Sequence, residues 1–296
     1  MRKTLKFFLT ISILFSSLPV LGWRGDFVIA GGDDKVLIID SRKSSADSAA
    51  VVWKWEISDA LGQIPDRYAG LCVRVDDCKP VNKGRQVLLT ASSNATLLVD
   101  IKTHKCIFWA ETPMAHSAEL LPKGRIVVAN SETPAGNSLE LYDVSEPEKL
   151  LFKDSLYFGH GTVWMPKQKR LYALGFQELR AYKLKDWNTD APSLELDTVY
   201  KVPTDRCHDL SRISDKELLI TTGTEVYVFD VQKCEFSDFL PLKGVRNVKS
   251  VNFDKKSGQV IYTKAEEYWW THHIYSINPE WSIGVDYVNL YKVRPL

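Results

Sequence analysis

Three of the six histidines in this 296-residue chain recur at a regular interval and could act as metal ligands or as acid–base groups. His116, His160 and His208 each begin a similar stretch of sequence, and Arg74 and Lys249 begin two further stretches of that kind. Three imidazoles suit a borderline divalent metal such as Mn, Zn, Ni or Fe. Without a metal, the imidazoles could transfer protons near neutral pH while the two cationic side chains hold an anion. All five residues are therefore candidate catalytic residues, and the three histidines are also candidate metal ligands.

The elements that must position these residues are short β-strands arranged in repeats. Positions 74, 116, 160, 208 and 249 are separated by 41 to 48 residues, and turn residues interrupt the chain throughout. The predicted strands include Val36–Asp40, Gln86–Ala91, Leu97–Asp100, Ile126–Ala129, Leu139–Tyr142, Arg170–Ala173, Glu217–Thr221 and Val226–Asp230. A repeat of about 40 to 50 residues is typical of one blade of a β-propeller. We predict an all-β, six-bladed β-propeller, with seven blades or an open stack of repeats as the alternatives.

The first repeat lacks a strand. It offers Phe27–Gly31, Val36–Asp40 and Val51–Trp55, with no inner strand before them. A propeller avoids exposed sheet edges by closing its ring. We therefore expect the C-terminal segment, near Asp286–Val293, to complete the first sheet, so that residues 23–296 form a single propeller domain.

The N-terminus has the pattern of a secretory signal. Arg2, Lys3 and Lys6 precede an apolar run from Phe7 to Phe15, and small residues follow it up to Gly22. Such a run is too short to span a bilayer, which needs about 20 apolar residues. Residues 1–22 are predicted to be a cleaved signal peptide, which implies a secreted or periplasmic protein without membrane insertion.

Composition narrows the choice of ligand. The formal net charge is +1, which does not favour nucleic acid as a partner. The chain contains 9 Trp, 12 Tyr and 12 Phe, and aromatic side chains suit both strands and sugar-facing clefts. Five cysteines, an odd number and without a Cys-x-x-Cys pair, are expected to be reduced. An acidic oligosaccharide or another small anion is the expected ligand of a protein that we predict to be monomeric.

Four segments carry a resemblance to a known group of proteins: His116-Ser-Ala-Glu-Leu-Leu-Pro, His160-Gly-Thr-Val-Trp, His208-Asp-Leu and Lys249-Ser. In these four segments the chain resembles an uncharacterised family of exported β-propellers from Bacteroidetes-type bacteria. That resemblance implies the fold and export but no activity. A looser similarity, in architecture and residue type only, is to oligogalacturonate lyases, propellers that hold a metal with histidines in the channel and cleave uronates by β-elimination.

Two functional hypotheses follow from the repeat. In the first, the mouth of the central channel binds or processes an acidic carbohydrate fragment, as a lyase or hydrolase that a metal could assist. In the second, the propeller is a non-catalytic scaffold that presents a face to a protein or a glycan.

Overall fold

A computed structural model describes residues 26–296 and contains six four-stranded antiparallel sheets arranged in a ring. The prediction of an all-β, six-bladed propeller is confirmed. The predicted signal peptide, residues 1–22, lies outside the described residues. None of the helices in residues 26–296 is long and apolar enough to cross a membrane.

Blades are numbered in chain order, and their strands are given from the channel outward. Blade 1 consists of β24 (Leu290–Pro295), β1 (Phe27–Gly32), β2 (Lys35–Asp40) and β3 (Val51–Glu56). Blade 2 consists of β4 (Val75–Val81), β5 (Gln86–Ala91), β6 (Ala95–Asp100) and β7 (Cys106–Glu111). Blade 3 consists of β8 (Ala115–Leu121), β9 (Arg125–Asn130), β10 (Ser138–Asp143) and β11 (Phe152–Ser155).

The second half of the ring repeats this order. Blade 4 consists of β12 (Gly161–Met165), β13 (Arg170–Leu174), β14 (Glu178–Lys185) and β15 (Ser193–Lys201). Blade 5 consists of β16 (Asp209–Arg212), β17 (Glu217–Thr221), β18 (Val226–Asp230) and β19 (Glu235–Asp238). Blade 6 consists of β20 (Val248–Asp254), β21 (Gln259–Lys264), β22 (His273–Ile277) and β23 (Trp281–Gly284). The helical segments are short: α1 (Tyr68–Leu71) and the 3-10 turns Ser41–Lys43, Ile57–Ala60 and Leu240–Leu242.

Apolar side chains are buried between neighbouring blades. Within the described residues they form six clusters, one at each blade-to-blade interface. Between blades 1 and 2, for example, Trp55 and Tyr68 are fully buried beside Val75 and Cys78. The cysteines are free, as expected from the sequence. Each blade thus depends on its neighbours for its core, which explains why the ring must close.

The C-terminal strand closes the ring. β24 pairs antiparallel with β1, where Val28 lies opposite Pro295 and Ala30 opposite Val293. The prediction that the C-terminal segment supplies the missing inner strand is confirmed, but the strand starts four residues later than expected. Residues 285–288 form a turn instead, with the Val288 amide donating to the Val285 carbonyl at 3.1 Å.

Candidate functional site

The innermost strands bring one residue from each blade to the mouth of the central channel. Ser117 pairs with Ala129, Gly161 with Leu174 and Asp209 with Thr221, so the residue just before each is equivalent. The same registration in the other three blades completes the channel-mouth ring: Asp76, His116, His160, His208, Lys249 and Tyr291. Several of these positions coincide with a break in the strand register, and such bulges re-aim side chains.

Arg74 does not occupy the repeat position in blade 2. Val75 pairs with Ala91 and Asp77 with Thr90, which leaves Asp76 as the extra residue equivalent to His116. The Arg74 side chain is exposed, two residues before that position. The structure therefore brings together four of the five candidates, His116, His160, His208 and Lys249, and leaves Arg74 outside the ring.

The three imidazoles are in mutual contact. Ring centroids of His116 and His160 are 4.2 Å apart, and those of His160 and His208 are 5.4 Å apart. Nδ1 of His116 donates to the Met114 carbonyl at 2.9 Å, and Nδ1 of His160 donates to the Phe158 carbonyl at 3.1 Å. Because a carbonyl only accepts, the proton of each neutral ring resides on Nδ1. Nε2 of both rings is left as an acceptor without a partner among residues 26–296.

His208 is bound on both sides. Nζ of Lys249 donates to its Nε2 at 2.9 Å, and its Nδ1 lies 3.3 Å from the Tyr291 hydroxyl. The Lys249 ammonium also lies 5.9 Å from the centre of the Tyr291 ring. Lys249 is 5% exposed, and no carboxylate among the described residues forms an ion pair with it.

Burial sets the charge states of the side chains in the channel-mouth ring. Burial lowers the pKa of His160 and of His208 well below the usual value. The neighbouring imidazoles and Lys292 lower that of His160 further, and Lys249 and Lys292 lower that of His208 further. Burial also lowers the pKa of His116, although Asp76 opposes it. The pKa of Lys249 is lowered to about 8, first by burial and then by the nearby charge of Lys292. At neutral pH the imidazoles are neutral and Lys249 is mostly an ammonium ion.

A second tier of charged side chains fills the channel beneath the ring. Arg294 donates to Asp77 at 2.8 and 2.9 Å and to Asp209 at 2.8 and 2.6 Å. Lys292 lies 3.3 Å from Asp209 and donates to the carbonyls of His116 and His160 at 3.1 and 2.8 Å. Burial alone would raise the pKa of Asp209, but Arg294 and Lys292 outweigh it and lower that pKa. The two negative charges of Asp77 and Asp209 balance the two positive charges of Lys292 and Arg294. Their contacts join blades 2, 3, 4 and 5 to the closing strand.

The geometry of the channel-mouth ring gives no support to a resident metal ion. Among residues 26–296, no three His, Cys, Asp or Glu side chains are arranged to hold one. Both nitrogens of His208 already have partners, and two ammonium groups, Lys249 and Lys292, stand beside the imidazoles. These ammonium charges disfavour a cation beside the imidazoles, while the Asp76 carboxylate near His116 acts in the opposite direction. The predicted role of the histidines as metal ligands therefore gains no support from the geometry and stays a prediction.

An aromatic strip crosses the channel mouth. Phe158 stacks on His160 at 4.0 Å, and Tyr291 lies edge-on to His116 at 5.9 Å. Beyond Tyr291, the ring of Trp270 follows at 6.1 Å. The strip therefore packs aromatic side chains next to the Lys249 ammonium group and the free imidazole acceptors; Phe158 and Trp270 are half-buried, and Tyr291 is buried.

The comparisons with known proteins add a family but no activity. A family model described as a family of unknown function, DUF6528, matches residues 24–296. The chain belongs to this family. No curated protein matches the chain significantly. The DUF6528 match and the propeller fold agree with the resemblance to an uncharacterised propeller family; its bacterial origin and export stay predictions.

In this DUF6528 chain, the repeat alone did not indicate half of the ten residues in the channel-mouth ring and the second tier: Asp76, Asp77, Tyr291, Lys292 and Arg294. The sequence carried one signal for Tyr291 and Lys292, because Tyr291-Lys-Val-Arg aligns with Lys249-Ser-Val-Asn once the last strand is counted as an inner strand. For Asp76, the irregular segment 57–74 between β3 and β4 hid the register.

Proposed function

We propose that the channel mouth is a binding site for an acidic sugar, which it holds without a metal ion. The observation that carries the proposal is the contact of Lys249, an ammonium group without a carboxylate partner in residues 26–296, with neutral imidazoles. An ammonium group of this kind attracts a carboxylate. The free Nε2 acceptors of His116 and His160 suit hydroxyl groups, which a sugar supplies next to its carboxylate.

The aromatic strip supports a sugar over a simple anion. Phe158 and Tyr291 flank the imidazoles, and the half-buried ring of Phe158 gives the apolar face of a pyranose ring a side chain to pack on. Inorganic anions would use the charge of Lys249 but neither the acceptors nor the aromatic surface. A uronate uses all three features of the site. The predicted signal peptide agrees with a ligand met outside the cytoplasm.

A second candidate function, β-elimination, is favoured by the neutral state of the imidazoles. With Lys249 neutralising the uronate carboxylate, Nε2 of His160 would remove the proton at C5. The electron pair of the C5–H bond forms the C4–C5 double bond, and the C4–O4 bond breaks. The Tyr291 hydroxyl donates a proton to the departing O4. The alternative expected from the sequence, a non-catalytic scaffold, needs none of these groups in their observed state.

A panel of ligands separates these possibilities. Chelator-treated protein would be titrated with galacturonate, its oligomers, matched neutral sugars and acetate, while the ultraviolet absorbance of an unsaturated uronate is followed. Binding of uronates in preference to both neutral sugars and acetate supports the proposal. A rise in absorbance adds the lyase reaction, and binding without such a rise removes it. Absence of uronate binding overturns the proposal and leaves the scaffold.

A further inference from the structure

An exposed pair of aromatic residues lies beside the channel mouth. Glu267 and Trp270 form an isolated bridge, and the two residues between them, Tyr268 and Trp269, make the tip of a tight turn. The Tyr268 side chain is 92% exposed and that of Trp269 is 52% exposed. We name residues 267–270 the aromatic hairpin. Thr271, which follows it, bridges to Leu290 at the start of the closing strand and fixes the hairpin on the side of the channel mouth.

Glu266 holds the hairpin in place. Its carboxylate accepts hydrogen bonds from the Thr271 hydroxyl at 2.9 Å, the His272 amide at 2.9 Å and Nδ1 of His273 at 3.0 Å, and another from the Tyr275 hydroxyl. Burial would raise the pKa of Glu266, but these donors, Tyr275 first, lower it to about 2. The carboxylate is therefore charged at neutral pH and anchors the base of the turn. Aromatic residues displayed on an anchored turn lose little freedom on binding.

The hairpin continues the aromatic strip. The ring of Trp269 lies 5.7 Å from that of Trp270, which lies 6.1 Å from Tyr291 of the channel-mouth ring. Each step is comparable to the length of one pyranose residue. An unbroken series of rings therefore leads from the Lys249 site to an exposed tip. Tyr268 and Trp269 are exposed side by side and continuous with Trp270, and contiguous exposed apolar patches mark interaction sites more often than single exposed residues do.

We propose that the aromatic hairpin is a second sugar subsite, so that the ligand is an oligosaccharide with its acidic residue at Lys249 and its neighbouring residues across Trp270 and Trp269. The inference rests on the proposed function, because the channel mouth supplies the charged end of the site. It adds a length requirement and a direction to that function: the chain leaves the channel mouth over blade 6.

Chain length is the variable that tests the subsite. Dissociation constants for galacturonate and its dimer, trimer and tetramer would be measured with the wild type and with the double variant Y268A/W269A. L240A serves as a matched control, since Leu240 is 72% exposed and makes no ring contact. We expect the wild type and L240A to gain about tenfold in affinity from monomer to trimer. The double variant keeps Trp270, so it should bind the monomer and the dimer normally and lose the gain from dimer to trimer.

The outcomes separate this inference from the proposed function. Uronate binding that is equally tight at every chain length, or a gain from dimer to trimer that survives in Y268A/W269A, overturns the subsite and leaves the channel-mouth site intact. Loss of monomer binding in the double variant, with an unchanged melting temperature, also overturns it, because the hairpin would then act on the mouth itself. If no uronate binds the wild type, the proposed function fails first, and the subsite fails with it.

Discussion

Nζ of Lys249 lies 2.9 Å from Nε2 of His208, and this neutral imidazole is the hydrogen-bond acceptor that the ammonium group meets within the described part of the chain. A buried ammonium without an opposing carboxylate is costly, so its retention points to a ligand that supplies the negative charge. His160, the other neighbour of His208, keeps a free acceptor for the same ligand.

Binding of an acidic ligand should weaken as the pH rises through about 8. The pKa of Lys249 is lowered to about 8, so the ammonium loses its charge above that value while a uronate stays ionised. Calorimetric titration of the wild type between pH 6 and about 9.5 would measure the effect. Affinity that is constant over this range would contradict the assignment of Lys249 as the charged contact.

The lowered pKa of Lys249 should also make the folded protein more stable as the pH rises, whereas ligand binding weakens. Its ordinary pKa is 10.5, so between about 8 and 10.5 the unfolded chain holds a proton that the folded chain has released. Stability contributed by this group therefore rises with pH in that window. We expect K249M to be more stable than the wild type by up to about 3 kcal/mol at pH 7, a difference that shrinks toward pH 10. Urea unfolding of both proteins, with K256M at an exposed turn as the control, measures it.

His160 should contribute to binding through the hydroxyl groups of the ligand and not through its carboxylate. H160F keeps an aromatic ring against Phe158 but removes the Nε2 acceptor. Loss of one hydrogen bond predicts a fall of about fivefold to tenfold in affinity for galacturonate. Affinity for acetate, which carries no hydroxyl group, should not change. Equal losses for both ligands would show that the variant disturbs Lys249 instead. H104Q, at a distant turn, is the matched control.

Much of this architecture could be predicted from the sequence because it depends on local pattern. The strands Gln86–Ala91 and Val226–Asp230 are observed with the predicted bounds, since turn residues flank each β-rich run. The phase of the repeat placed His116, His160 and His208 at equivalent positions, because the inner-strand register is the same in blades 3, 4 and 5.

The rest depends on contacts between distant parts of the chain. Arg294 and Asp77 are separated by 217 positions and meet only because the last strand joins the first sheet. No periodicity within a blade indicates such a pairing. Arg74 is two positions away from Asp76, the true ring residue of blade 2, because the irregular segment before β4 offers no pattern that fixes its register.

The second tier should make a large contribution to stability. In D209N, Arg294 and Lys292 would lose one of the two carboxylates that balance them in the buried channel. Removing one partner of a buried ion pair costs about 3–5 kcal/mol. D238N removes an exposed carboxylate that pairs with Lys243 and should cost less than about 1 kcal/mol. Urea unfolding at pH 7 compares them, and equal effects would contradict a buried network.

Low pH should destabilise the protein by protonating the Asp209 carboxylate of the second tier. Burial raises the pKa of Asp209, but Arg294 and Lys292 outweigh burial and lower that pKa below its ordinary 3.8. The carboxylate therefore contributes stability that is complete above about pH 4 and is lost as the pH falls further. The wild type should lose more stability between about pH 5 and pH 2 than D209N does. Parallel losses in the two proteins would exclude Asp209 as the group responsible.

Calorimetric titration of digalacturonate into the wild type, K249M and K256M at pH 7, all treated with a chelator, tests most directly whether Lys249 binds the acidic ligand without a metal ion. We predict that the wild type and K256M bind with the same affinity, and that K249M binds about tenfold or more weakly while remaining folded. Undiminished binding by a folded K249M, or a requirement for added metal in the wild type, would contradict it.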